Sequence, residues 1–277
     1  MLLSKADIQR IIPHREPFVL VDGIVELDPG RYGVGIVRDV ARWDLFSRLR
    51  ERKSDSNELM LVDSVRPSVS SPGVVGIIEN VATLGPLFEG HFPGQPLFPG
   101  ALTLAAMAEV AHHYLLQDKA FCRGAFLKRA DGWRFRRAIV PGDRLEIHAE
   151  ETDPTAMKVT ATVEGRIAAE GRLTFVPGGP VVASPLPGQA TLPGALVVEA
   201  LAEVGAVAVL GPGGGTDRLA LLVAIQDWEF FAPVLAGTEI TLSASLVDMR
   251  PSFGKGLFVA SSADGPVAEG HLVFGFG

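Results

Sequence analysis

The sequence predicts an α+β protein in which one unit, a deeply buried helix followed by strands, is built twice along the chain. Three matched pairs of segments in the same order carry that prediction. Residues 99–111 read PGALTLAAMAEVA and residues 193–205 read PGALVVEALAEVG. Residues 133–147 read WRFRRAIVPGDRLEI and residues 228–242 read WEFFAPVLAGTEITL, while AEGRLTF at 169–175 returns as AEGHLVF at 268–274. Chance does not set such pairs in one order. The chain is a duplication.

In the first pair, Pro99 and Pro193 stand where a helix starts, because proline loses nothing in the first turn. Both stretches are apolar around most of their circumference, the pattern of a helix buried on all sides. The second pair reads as strands joined at a Gly-containing turn, and the third alternates as a terminal strand should. A fainter pair precedes them. FVLVDGIVELDPGRYGVGIVRDVARWDLF at 18–46 resembles LMLVDSVRPSVSSPGVVGIIENVATLGPLF at 59–88, each suited to two strands joined by a Pro-Gly turn. If both are opening hairpins, the second copy begins at the N-terminus and is interrupted. The expected organisation is then nested, with residues 51–179 inserted into a host made of 1–50 plus 180–277. A tandem pair with an extra N-terminal hairpin is the simpler alternative, but it leaves the second copy without opening strands. SRLRERKSDSN at 47–57 reads as the polar connection into the insert.

Composition bounds the function. In 277 residues, 47% are hydrophobic and 21% charged, a globular balance with ample material for a core. A net charge of -7 argues against a general nucleic-acid binder. The N-terminus lacks the apolar core of a signal peptide. The most apolar stretch, 195–210, is interrupted by Glu199 and Glu203 and is short for a bilayer. The single cysteine, Cys122, can form no internal disulfide and fits a reducing compartment. The expectation is a cytoplasmic protein that binds neither nucleic acid nor membrane.

The stretch GHFPG at 90–94, continued as QPLFPGALTLAAMAE, is similar to the 3-hydroxyacyl-acyl-carrier-protein dehydratases of fatty-acid synthesis. IIPHREPFVLVDGI at 11–24 and FRRAIVPGD at 135–143 agree with it, so the resemblance covers most of 1–178 and continues more weakly through 180–277. It implies a double hot-dog fold, two antiparallel sheets each wrapped around a long central hydrophobic helix, forming a pseudodimer. It also implies a site between the units, with a His from the GHFPG turn of one and a carboxylate from the central helix of the other.

In that family the carboxylate lies 14 residues after the His, which here is Ala105. The first copy therefore has His91 without its acid. Aligning Pro193 with Pro99 gives an offset of 94, which sets Glu199 against Ala105 and Pro185 against His91. The second copy has the acid and lacks the His. One complete set survives across the pair, His91 with Glu199, while Pro185 with Ala105 can do no acid–base chemistry.

The resemblance implies dehydration of a carrier-linked 3-hydroxyacyl thioester to a trans-2-enoyl thioester, in fatty-acid or polyketide-type synthesis, with no cofactor. The reaction removes a proton beside the thioester carbonyl and expels hydroxide from the next carbon. Imidazole suits the first task at neutral pH, and a buried carboxylic acid with a raised pKa suits the second. The N–H of Gly100, at a helix start, holds the family's position for polarising the thioester oxygen. Phe92, Pro99 and Glu203 are further candidates for lining the substrate position; Glu203, where the family usually has glutamine, either hydrogen-bonds near the site or faces water. Glu109 is its counterpart in the other copy and is expected to be structural.

Other features read more plainly. His112 and His113 are adjacent on a helix and share no face, so they make a poor metal pair. His14 lies in the PHR turn and is expected to anchor the N-terminal segment. No spacing suggests a metal. Arg48, Arg50, Arg52 and Lys53 cluster in the connector, and Lys128, Arg129, Arg134, Arg136 and Arg137 cluster after the first helix. The second copy has Glu229, Phe231 and Ala232 in place of Arg134, Arg136 and Arg137, so an acidic carrier is expected to dock on the side of His91. A homo-oligomer of such pseudodimers is compatible with the resemblance. Two alternatives stay open: a hot-dog thioesterase, against which GHFPG speaks, and a non-catalytic acyl-binding or partner protein, against which the complementary retention of His91 and Glu199 speaks.

Overall fold

The computed structural model describes residues 1–40, 61–121, 124–178, 191–192, 194–212, 219–235 and 237–276. In chain order the strands are β1 (Leu3–Ser4), β2 (Gly23–Asp28), β3 (Tyr32–Val37), β4 (Ser64–Pro67), β5 (Gly73–Ile78), β6 (Ala125–Phe135), β7 (Leu145–Asp153) and β8 (Ala156–Val163). They continue as β9 (Arg166–Pro177), β10 (Thr191–Leu192), β11 (Ala220–Phe230), β12 (Val234–Leu235), β13 (Ile240–Met249), β14 (Phe253–Ser262) and β15 (Gly265–Phe276). The helices are α1 (Lys5–Ile11), α2 (Gly100–Leu115) and α3 (Gly194–Leu210), with a 3₁₀ segment over Val81–Leu87.

Among the described residues, thirteen strands form one sheet in the order β1-β2-β3-β13-β14-β15-β11-β6-β9-β8-β7-β5-β4, and β10 pairs separately with β12. The two expected sheets are thus continuous. They join where β11 and β6 pair antiparallel, Ala224 opposite Arg134 and Trp228 opposite Ala130. On one side α2 packs against β5 to β9, on the other α3 packs against β2, β3, β11 and β13 to β15, and the helices touch each other.

Both helices are buried nearly all round, as their lack of a polar face predicts. The AEG repeats have a packing reason. A Cβ on Gly171 would lie 2.3 Å from the Trp133 ring, and one on Gly270 would lie 2.7 Å from that of Trp228. Each glycine admits the largest buried side chain of its half.

The faint N-terminal repeat also has a structural counterpart. β3 pairs with β13, and β5 with β7, so the hairpins occupy equivalent places on the two sheet halves. Asp22 accepts from the Arg38 N–H, and Asp63 from the Glu79 N–H, each at 2.8 Å. From these pairings we propose the nested division, residues 51–179 within 1–50 plus 180–277. Its joints, with Glu51, Gly179 and the connector 47–57, lie outside the described residues, as do Cys122, Pro185 and Pro193. No helix among the described residues is long and apolar enough to cross a membrane.

Candidate active site

His91 follows a glycine whose lack of a side chain brings two distant segments together. The Arg15 N–H donates to the Gly90 carbonyl at 2.9 Å, and a Cβ on Gly90 would stand 1.9 Å from the Arg15 carbonyl oxygen. That contact seats the PHR turn against the GHFPG turn. Within the latter, Phe92 and Gln95 exchange backbone hydrogen bonds, and the Leu97 N–H donates to the His91 carbonyl. His91 Nδ1 lies 2.9 Å from the Leu97 carbonyl oxygen. A carbonyl only accepts, so Nδ1 carries the proton and Nε2 is left with a free lone pair.

That lone pair points at the other unit. His91 Nε2 is 3.6 Å from Glu199 Oε1, on α3. The gap exceeds a hydrogen bond, so neither group is consumed by the other. The Ala101 N–H, at the start of α2, also faces the Glu199 carboxyl and favours its charged form. The site is therefore a true junction, with His91 and a helix N-terminus from one half and the acid from the other.

Burial sets the protonation states. It pushes the Glu199 carboxyl above the ordinary carboxylate range, against the opposing pull of His91 and the Ala101 N–H. It draws His91 down to about 4, although the nearby Glu199 works to raise it. Both shifts favour the uncharged forms, a neutral imidazole beside a carboxylic acid.

A cavity of about 240 Å³ opens on this pair. Gly100 and Phe92 line it, as expected, together with Leu97, Phe135, Ala202 and Leu222. Gly100 opens α2, where backbone N–H groups lack a carbonyl from a preceding turn. Phe92 stacks on the His91 ring at 4.0 Å between centroids. Arg136 and Arg137 also line the cavity, Arg136 paired with Glu170 and Arg137 with Asp143.

Other expectations need correction. Pro99 is not among the lining residues; its carbonyl instead accepts the Leu102 and Thr103 N–H groups that start α2. Glu203 neither lines the cavity nor faces water. It is 0% exposed, and its carboxyl accepts from the Leu20 N–H at 2.9 Å and the Val21 N–H at 3.2 Å. Glu109 does the same for Leu61 and Val62 at 2.9 and 3.2 Å, so the pair is a repeated structural anchor. Arg134, expected for carrier docking and not for the cavity, is exposed on β6 outside the cavity lining, a placement that does not contradict that expectation. His112 and His113 lie in the last turn of α2.

His14 is the residue that sequence reasoning assigned elsewhere. It is not only an anchor: it lines the cavity, with Nε2 at 3.7 Å from Glu199 Oε1 and its ring edge-on to His91 at 5.2 Å. Burial, with help from Arg15, lowers its pKa to about 3, so it too is neutral. The signal was the PHR motif itself, a polar residue held between apolar runs. The set is thus His14 and Glu199 from one half and His91 from the other.

Residues 55–177 match the family described as the FabA-like domain. The chain is 32% identical over 180 residues to the 3-hydroxyacyl-acyl-carrier-protein dehydratase FabZ of Acetivibrio thermocellus, covering 63% of this chain and 94% of that one. It is 34% identical over 179 residues to the FabZ of Thermomicrobium roseum, covering 63% and 92%. Among solved structures it resembles the dehydratase domain of the polyketide PpsC from Mycobacterium tuberculosis. There the TM-score is 0.54 at 12% identity, over 80% of this chain and 99% of that one. At that identity the likeness speaks for the fold, a double hot-dog, and for nothing finer.

Proposed function

The chain belongs to the 3-hydroxyacyl-acyl-carrier-protein dehydratase family, and on that premise we propose that its dehydration runs at one composite site, with His91 as base and Glu199 as acid. The enzyme removes water from 3-hydroxyacyl thioesters in fatty-acid or polyketide synthesis. The 3.6 Å approach of His91 Nε2 to Glu199 Oε1 is the observation that carries the assignment.

In this reading His91 Nε2 takes the proton from the carbon beside the thioester carbonyl. The Glu199 carboxylic acid protonates the departing hydroxyl, which leaves as water. The Gly100 N–H bonds the thioester oxygen as negative charge gathers there, a role suited to a helix start. His91 is then charged and Glu199 ionised, and their proximity allows the proton to return to Glu199 before the next turnover. His14, neutral and edge-on to His91, adds no charge that would oppose the imidazolium.

The pH dependence follows from the two shifts. The base must be neutral, and burial has lowered its pKa, so activity holds until pH falls through that lowered value. The acid must be protonated, and its pKa is raised, so activity is lost as pH rises through the raised value. On the acid side we expect no loss of kcat/KM down to about pH 5.5, where an exposed imidazole would already be losing its base form. A fall centred on about pH 6.5 in protein shown to be folded would place the base elsewhere.

The substrate is proposed to arrive on an acyl carrier protein in the cytoplasm, a compartment suited to the lone Cys122. Arg136 and Arg137 at the cavity mouth offer positive charge to an acidic carrier, and their surface ion pairs contribute little to stability. Reversing both charges should weaken use of a carrier-linked substrate more than use of a small thioester analogue, because long-range attraction acts on the carrier. Equal losses on both substrates would assign these arginines to the site or to folding. The same assay separates reaction classes: a dehydratase yields an enoyl thioester, whereas a thioesterase liberates the thiol.

A further inference from the structure

Three donor atoms converge on one point of the cavity wall from three remote parts of the chain. One ring nitrogen each of His14 and His91 and a Glu199 carboxylate oxygen all lie within 4.8 Å of one another. Glu199 Oε1 stands 3.7 Å from His14 Nε2 and 3.6 Å from His91 Nε2. We propose that these atoms form a binding site for a divalent transition-metal ion, zinc foremost, and that its occupancy shuts off the catalytic site.

The donor set fits. Two imidazoles and a carboxylate favour zinc, cobalt, nickel or copper over magnesium or calcium, which call for oxygen ligands. A tetrahedral zinc ion with bonds of about 2.0–2.1 Å holds its ligands roughly 3.3 Å apart. The two histidine–glutamate separations exceed this by only a few tenths of an ångström, and the two imidazoles, within 4.8 Å of each other, would draw together around the ion. His91 is prepared as a ligand, because its Nδ1–H···O=C bond to Leu97 fixes the tautomer and aims Nε2, the usual support for a metal-bound histidine. His14 and Glu199 come from one half of the fold and His91 from the other, so an ion would clamp the junction. The fourth position faces the cavity, which gives the ion both its entry and a place for water.

Metal bound there takes the lone pair on His91 Nε2 that would remove the substrate proton. It also occupies the place of the reacting atoms, so ion and acyl thioester exclude each other. Binding of the ion does not depend on the dehydratase reading. Only its inhibitory effect does.

The test uses the full chain freed of metal by a chelator. Titration with Co²⁺ should develop a visible absorption band that saturates at about one equivalent per chain and is displaced by Zn²⁺. His14→Ala and Glu199→Gln, each shown to be folded by circular dichroism, should weaken Co²⁺ binding by more than about 10-fold, the least that even supporting residues around a metal commonly cost. Zn²⁺ should inhibit dehydration, more substrate should relieve the inhibition, and the chelator should restore the rate. A wild-type protein without the band, or a band that survives either substitution, overturns the site. Zn²⁺ binding that leaves dehydration untouched overturns the inhibitory role. If the band behaves as expected but no thioester is dehydrated, the metal site stands and the assigned reaction falls.

Discussion

His91→Ala and Glu199→Gln each lower dehydration of a 3-hydroxyacyl thioester by about 100-fold or more, the loss expected when a general base or general acid is removed. Glu199→Gln keeps the shape and the contact with the Ala101 N–H but cannot deliver a proton of carboxylic acidity. Its effect should therefore fall on kcat more than on KM. Glu109→Gln is the matched control. It sits at the equivalent helical position to Glu203, and its oxygen holds Leu61 and Val62; an amide oxygen still accepts, so turnover should hold. Full activity of Glu199→Gln together with inactive Glu109→Gln would move the working site to the other side of the pseudodimer.

Glu203→Ala has the largest expected effect on stability. Leu20 and Val21 lose the acceptor their N–H groups share inside the core. Stripping the acceptor from buried donors costs about 1–3 kcal/mol each, so for the two donors a loss of roughly 2–6 kcal/mol is expected. Glu203→Gln should cost far less. Burial, together with the proximity of Glu199, pushes the Glu203 carboxyl well above its usual range, while the backbone N–H groups pull the other way. A neutral amide meets those donors without any charge to desolvate. Because the segment 18–21 follows the His14 turn directly, Glu203→Ala should also reduce turnover at temperatures where it is still folded. Denaturant melts of the two variants check this, and equal stability of Glu203→Ala and wild type would deny the anchor.

Much of the fold is legible in the chain because duplication states each element twice. The two central helices announce themselves by apolar residues on every face, and the AEG strands by a glycine that must yield to Trp133 or Trp228. Glu199 is found by carrying the spacing that the family resemblance implies, 14 residues after His91 at Ala105, across the repeat offset of 94. What could not be read was the meeting of segments. His14 reaches the cavity only because the Arg15 N–H finds the Gly90 carbonyl across a long stretch of chain. Glu203 lies one helical turn from Glu199, which suggests the site, yet its direction is set by where the N-terminal segment runs. A clue was present: Leu-Val-Asp recurs at 20–22 and 61–63, and a glutamate waits at the matching place in each helix. The merging of two sheets into one also depends on β6 and β11 finding each other at the junction, which no local pattern records.

The central claim is that His91 and Glu199 act in one event at one site, and the double substitution His91→Ala with Glu199→Gln tests it most directly. Steady-state kcat/KM for the two single variants, the double variant and wild type forms a closed cycle. Groups that serve the same step are non-additive, so the double variant should be little slower than the slower single. Losses that multiply, about 10,000-fold for two singles of about 100-fold, would mean that the residues act independently, and the composite site would be wrong.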